Sequence, residues 1–212
     1  MADIFETQFE GKDIDVEGNF VSLGDDLNLI EKNPTLRRIV IGAGWDDNAF
    51  NTDALDADIS LILVDKNGQT RVDEDFVFYN CPEALDGAVR HHGDNRTGAG
   101  DGDDENISVD LEGVPFDVVQ LLIVLSIYKG YEKEQNLEML RNVYVRIVNE
   151  DDGTELVRYK MDGDLKEAGQ TAVLAAAVNR EGPKWHFKPL CDFDAGDLSG
   201  IAEKRGLVIG AQ

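Results

Sequence analysis

Twelve consecutive residues, Asp94-Asn95-Arg96-Thr97-Gly98-Ala99-Gly100-Asp101-Gly102-Asp103-Asp104-Glu105, set five carboxylates beside a single guanidinium. Charges of one sign held this close repel, and one Arg cannot offset them. A hard divalent cation is the natural counter-charge. Calcium takes six to eight oxygens from carboxylates, amide side chains, carbonyls and water in a pliable geometry. Gly93, Gly98, Gly100 and Gly102 allow the bends that would turn such oxygens toward one point. Soft donors are absent from the run, since His91 and His92 only precede it, which argues against zinc and copper. The plain alternative is a solvated acidic turn.

The spacing fits no compact calcium loop. An EF-hand requires acids at alternate positions, Gly at the sixth, Glu at the twelfth and helices on both sides. The nonapeptide calcium repeat is echoed once, in residues 98–103, where a solenoid needs several copies. The ligands must therefore come from more than one loop, and other elements must carry them together.

Composition narrows the rest. The 212 residues carry a formal net charge of -23 and 42% hydrophobic residues, enough for one large globular domain. So negative a surface repels phosphate backbones, which excludes a nonspecific nucleic-acid binder. Cys81 and Cys191 are too few for a disulfide framework and are expected to be reduced and semi-buried. Met-Ala-Asp-Ile-Phe-Glu-Thr at the start has no basic or apolar leader character, and the apolar runs 118–127 and 172–178 are too short to span a bilayer. The expectation is a soluble cytoplasmic protein without membrane insertion.

Short β-prone runs dominate: 20–23, 36–43, 58–65, 76–79, 107–111, 120–128, 143–149, 156–161, 171–179 and 185–190. Lys66-Asn67-Gly68-Gln69 reads as a type I′ hairpin turn, Asp151-Asp152-Gly153 as a second turn, and Arg180-Glu181-Gly182-Pro183-Lys184 as a third. Helical periodicity is confined to 132–142 and a terminal turn near 198–204. Without β-α-β alternation, the class is all-β: a two-sheet antiparallel β-sandwich with one or two short helices and metal-bearing loops gathered at one end.

The motifs Val21-Ser22-Leu23, Gly42-Ala43-Gly44-Trp45-Asp46, Asp56-Ala57-Asp58, Asp75-Phe76-Val77-Phe78-Tyr79-Asn80, Gly93-Asp94-Asn95-Arg96-Thr97-Gly98 and Gly100-Asp101-Gly102-Asp103-Asp104-Glu105 stand in the order found in the TerD family of tellurium-resistance and stress proteins. Residues 142–149, 152–156 and Trp185-His186-Phe187 resemble its later strands. The chain is similar to that family over 20–193, leaving 1–19 as an N-terminal extension and 194–212 as a C-terminal tail. The resemblance implies a calcium-binding β-sandwich. Carried over residue by residue, it implies Asp56, Asp58, Asn80, Asp94, Asn95, Asp101, Asp103, Asp104 and Glu105 as ligands to two calcium ions, while Cys81 stands where the family has Asn, and Asp46 is as readily a turn cap. It further implies a non-enzymatic module partnering other tellurium-resistance proteins, including a membrane component. The competing readings are a two-metal hydrolase and a permanently occupied structural site in a scaffold protein.

Overall fold

A computed structural model describes residues 18–46, 55–94, 102–193 and 195–208. The elements in chain order are β1 (Phe20–Val21), β2 (Leu27–Asn28), α1 (Leu29–Lys32), β3 (Arg38–Asp46), β4 (Ala57–Val64), β5 (Phe76–Val77), β6 (Glu83–Ala84), β7 (Val89–Asp94), β8 (Glu105–Asp110), β9 (Gln120–Ile127), β10 (Arg141–Asn149), β11 (Glu155–Lys160), β12 (Ala172–Glu181), β13 (Lys184–Asp192) and α2 (Leu198–Glu203). They form two facing sheets, one in the order β1-β11-β10-β3-β8-β7-β6 and the other β2-β13-β12-β9-β4-β5. Pairing is antiparallel except where β1 joins β11. The all-β sandwich expected from sequence is the fold found.

Period-2 patterning decides which faces meet. In β8, Glu105, Ile107 and Val109 point inward while Asn106, Ser108 and Asp110 face out, so one side packs and the other meets solvent. Strands β4, β9 and β12 are instead buried on nearly every residue. Their inner faces join the main core, and their outer faces form a second cluster in which Ile62, Val64, Leu122, Val124 and Ala177 pack beneath Ile201, Ala202 and Leu207. Residues 195–208, set apart by the sequence reading as a tail, therefore cover the outer face of the second sheet. The outer face of the first sheet has no such cover among the described residues.

Three local expectations are revised. Where a helix is expected over 132–142, residues 132–140 form turns and a short 3-10 helix at Leu137–Met139, and 141–142 already belong to β10. Lys129 and Glu134 sit at positive φ, and the Leu137 and Glu138 N–H groups donate across the chain to the Gln170 and Ala168 carbonyls, so the one i to i−4 bond, from the Lys133 N–H to the Lys129 carbonyl, is not continued into a helix. Leu137 and Leu140 still enter the core. The turn after β4 has positive φ at Gly68 but not at Asn67, so it is not type I′; the Asp65 carboxylate closes it by accepting from the Asn67 and Gln69 N–H groups at 2.7 and 3.1 Å. Strand β7, which carries His91 and His92, was not legible as a strand because Gly and His interrupt its apolar alternation. No helix among the described residues is long and apolar enough to cross a membrane.

Candidate metal centre

The register brings the acidic strand ends level. Ala43 of β3 pairs with Glu105, Asp94 of β7 pairs with Glu105 from the other side, and Asp46 pairs with Arg141 at the start of β10. In the facing sheet, Ala57 and Asp58 at the start of β4 pair with Ile127 and Ser126 at the end of β9. A bond from the Ile59 N–H to Glu105 Oε2, at 2.5 Å, places the start of β4 opposite the start of β8. The ends of β3 and β7 and the starts of β4 and β8 thus lie on the same rim. Asn95 and Asp101 fall outside the described residues, as does the Asp94 side chain.

Three consecutive acids at the start of β8 go in three directions. Asp103 reaches the outer face of the first sheet, where its carboxylate accepts from Arg146 Nε at 2.8 Å, from an Arg146 terminal nitrogen at 3.0 Å and from the Tyr144 hydroxyl at 3.0 Å. Asp104 hooks the end of β3: its N–H donates to the Ala43 carbonyl and its Oδ2 accepts from the Trp45 N–H at 2.7 Å. Glu105 turns inward and is 1% exposed. Asp103 and Glu105 are two residues apart and would share a face in a regular strand, so their opposed directions mark irregular backbone at 102–104, before β8 begins at Glu105.

Glu105 solves a problem of edge pairing. On β4, Asp56 and Val64 direct their carbonyls to the β9 side, so Ile59 presents its polar groups toward β5. Yet β5 pairs only with Leu61 and Ile62. Below that point the Ile59 N–H goes to Glu105, and the Ile59 carbonyl accepts from His91 Nε2 at 3.1 Å. The other His91 nitrogen accepts from the Gly93 N–H at 2.9 Å, which makes the ring the neutral Nε2–H tautomer. Two side chains of one sheet therefore complete an open edge of the other.

The Asp103 clasp extends into a charge-balanced set. Arg146 also donates to Glu155 Oε2 at 3.0 Å, and Arg158 donates to both Glu155 oxygens at 2.9 and 2.7 Å. The Arg158 guanidinium lies 4.1 Å from the Tyr144 ring centroid. Burial would raise the Glu155 carboxyl, but bonds from Arg158 and Arg146 outweigh it and hold it below the usual range. Burial, with the Asp103 charge next, pushes the Tyr144 hydroxyl well up, so it stays a donor. The glycines beneath are required by close approach: a Cβ on Gly42 would lie 2.1 Å from Asp103 Oδ2, and one on Gly44 would lie 2.5 Å from the Tyr144 ring. Arg146, Tyr144, Glu155 and Arg158 had no sequence signal as site neighbours beyond the outward phase of Tyr144-x-Arg146 on β10.

On the second sheet, Asp56 and Asp58 stand beside Tyr79. Burial raises the Tyr79 hydroxyl, and the charges of Tyr128, Asp58 and Asp56 add to the rise. Lys133 approaches Asp56 at 3.9 Å. Asn80 is exposed at the tip of a tight turn closed by reciprocal Phe78 and Cys81 backbone bonds of 3.1 and 3.0 Å. Asp46 accepts from the Asn142 side chain. Among the described residues no three His, Cys, Asp or Glu side chains converge as a cage. The acids of this rim, Asp56 and Asp58 among them, nonetheless offer oxygen donors of the kind a hard cation takes. Cys191 lies away from it, its thiol pushed up to about 11 by burial, and Cys81 and Cys191 are both free thiols.

A two-sheet, largely antiparallel sandwich with only two short helices among the described residues places the chain in the all-β class. The TerD domain model matches residues 20–204, and the chain belongs to the TerD family. It is 38% identical over 188 residues to General stress protein 16U of Bacillus subtilis (strain 168), covering 88% of this chain and 96% of that protein. It is 34% identical over 187 residues to Tellurium resistance protein TerD of Serratia marcescens, with 88% and 96% covered. Among solved structures, a homologue of telluride resistance protein (TerD) from Streptomyces coelicolor A3(2) superposes with a TM-score of 0.57 at 18% identity, over 74% of this chain and 89% of that one, and shares the fold.

Proposed function

We propose that this chain is a non-enzymatic calcium-binding module of the tellurium-resistance and stress-response type, acting in the cytoplasm by ordering a loop surface for protein partners. The observation that carries the reading is the register that sets the Asp58, Asp94 and Asp104 backbones on one rim, flanking residues 47–54 and 95–101. Asp58, Asp94, Asn95, Asp101 and Asp104, with Asn80 and Asp56 from the neighbouring turn and strand end, are the residues that would hold the cation. Bound calcium supplies charge compensation, turning mutual repulsion into shared coordination. The residues themselves do the rest: Asp104 fixes the stem to β3, and Glu105 and His91 close the edge behind it. The family membership and the names of the relatives support the stress-response setting, and other proteins of that system, including a membrane component, are the partners this reading implies.

The test is a calorimetric titration of chelator-stripped protein with calcium, with magnesium as control, and a melt at each end. Two sites in the range of about 10⁻⁷ to 10⁻⁵ M, a weak response to magnesium and a clear rise in melting temperature are expected. No calcium binding refutes the reading. A preference for magnesium or manganese with turnover of a phosphate substrate supports a hydrolase instead.

A further inference from the structure

The structure assigns Asp103 a different task from its acidic neighbours: we propose that the Asp103–Arg146–Tyr144 clasp is a positioning device that fixes the C-terminal stem of the cation loop, and that Asp103 is not itself a ligand. This rests on the calcium-binding reading and specifies which acids serve it. Asp103, Arg146, Glu155 and Arg158 supply two negative and two positive charges, and their side chains are 10%, 19%, 10% and 21% exposed. The set is neutral without a metal. Both Asp103 oxygens are engaged, and Gly42 provides the bare backbone on which the carboxylate rests. Swinging Asp103 toward a cation would abandon three hydrogen bonds and leave Arg146 with one carboxylate partner.

The consequence has a sign that separates it from the alternative. If Asp103 ligates the cation, Arg146 competes with the metal and repels it, so Arg146→Met tightens binding. If Asp103 positions the stem, Arg146→Met weakens binding as Asp103→Asn does, because losing a supporting partner of a metal site costs about 10- to 100-fold in affinity. Calcium titrations of the full chain should therefore show each single variant weaker by about tenfold or more, the double variant no weaker than the worse single one, and Arg146→Lys between wild type and Arg146→Met. Arg90→Met, which removes a positive charge paired elsewhere with Glu83, controls for net charge and should not weaken binding.

Tighter or unchanged binding by Arg146→Met overturns the proposal. Hydrogen exchange of the 103–106 amides in chelator reads the clasp without any cation. Asp103→Asn and Arg146→Met should both accelerate it, and unchanged protection overturns the clasp. A wild type that binds no divalent cation refutes the calcium-binding reading, and with it the role of the clasp in cation binding; accelerated exchange would then show a clasp that holds the stem alone.

Discussion

Glu105→Ala distinguishes a structural carboxyl group from a metal ligand by the direction in which stability moves when no cation is present. The Ile59 N–H has Glu105 as its acceptor at 2.5 Å, Ile59 is fully buried, and β5 ends before it can offer a carbonyl. Stranding such a donor costs about 1–3 kcal/mol. Removing the two terminal side-chain carbons from a site that is 1% exposed adds roughly 1 kcal/mol of lost burial. A total near 3 kcal/mol corresponds to a fall of about 6–12 °C in melting temperature for a domain of this size. Glu105→Gln keeps an acceptor of the same shape and should stay within about 1 kcal/mol of wild type. The assay is thermal melting of both variants in chelator. An acid kept only for a cation would instead relieve repulsion when removed, so stabilisation of the chelated protein by Glu105→Ala, or a loss below about 0.5 kcal/mol, would falsify the edge-completion argument.

Other expectations follow from the same contacts. Arg180 donates to the carbonyls of Leu111, Val114, Pro115 and Val118 and lies 4.4 Å from the Trp185 ring, so Arg180→Ala should cost about 2–4 kcal/mol and speed exchange in 111–118, both read by melting and hydrogen exchange. The Glu155 carboxyl is held below its ordinary value; its contribution to stability is therefore complete above the unfolded glutamate pKa of about 4.3 and is lost as pH falls through the lowered folded value. Glu155→Gln should flatten the acid limb of a stability profile, and an unchanged limb would refute the assignment. Ile201 is 4% exposed in the outer cluster, so Ile201→Ala should destabilise by about 2–4 kcal/mol, whereas a free tail would show no change in a denaturant melt.

The sandwich was legible because strand patterning is local. Glu-Asn-Ile-Ser-Val-Asp in β8 alternates residue by residue, and the apolar runs of β9 and β12 read as strands, though that both their faces are covered is seen only in the packing. What covers them was not legible: the apolar residues of 198–207 are too few to show a helical face, and only the packing of Ile201, Ala202 and Leu207 on Leu122 and Val124 reveals their role. The acidic rim was legible as composition. Its division of labour was not, because Asp103, Asp104 and Glu105 look equivalent in sequence and differ only in what lies opposite them. Arg146 is 43 residues from Asp103, and Ile59 is 46 from Glu105.

That division bears on how a cation could act. Asp103 is tied to the outer face of one sheet, Asp104 to the end of β3 and Glu105 to an open edge of the facing sheet, so the stem at 103–105 is fixed from three sides by contacts that need no metal. A ligand shifts an equilibrium only through differential affinity for two states, and a stem anchored in this way has one. The stem at 103–105 is therefore not an element that a cation would reorder. The sheets behind should be alike with and without the ion. Comparing hydrogen exchange in calcium and in chelator tests this: 103–106 amides already protected in chelator support it, and amides there that gain protection only when calcium is added refute it.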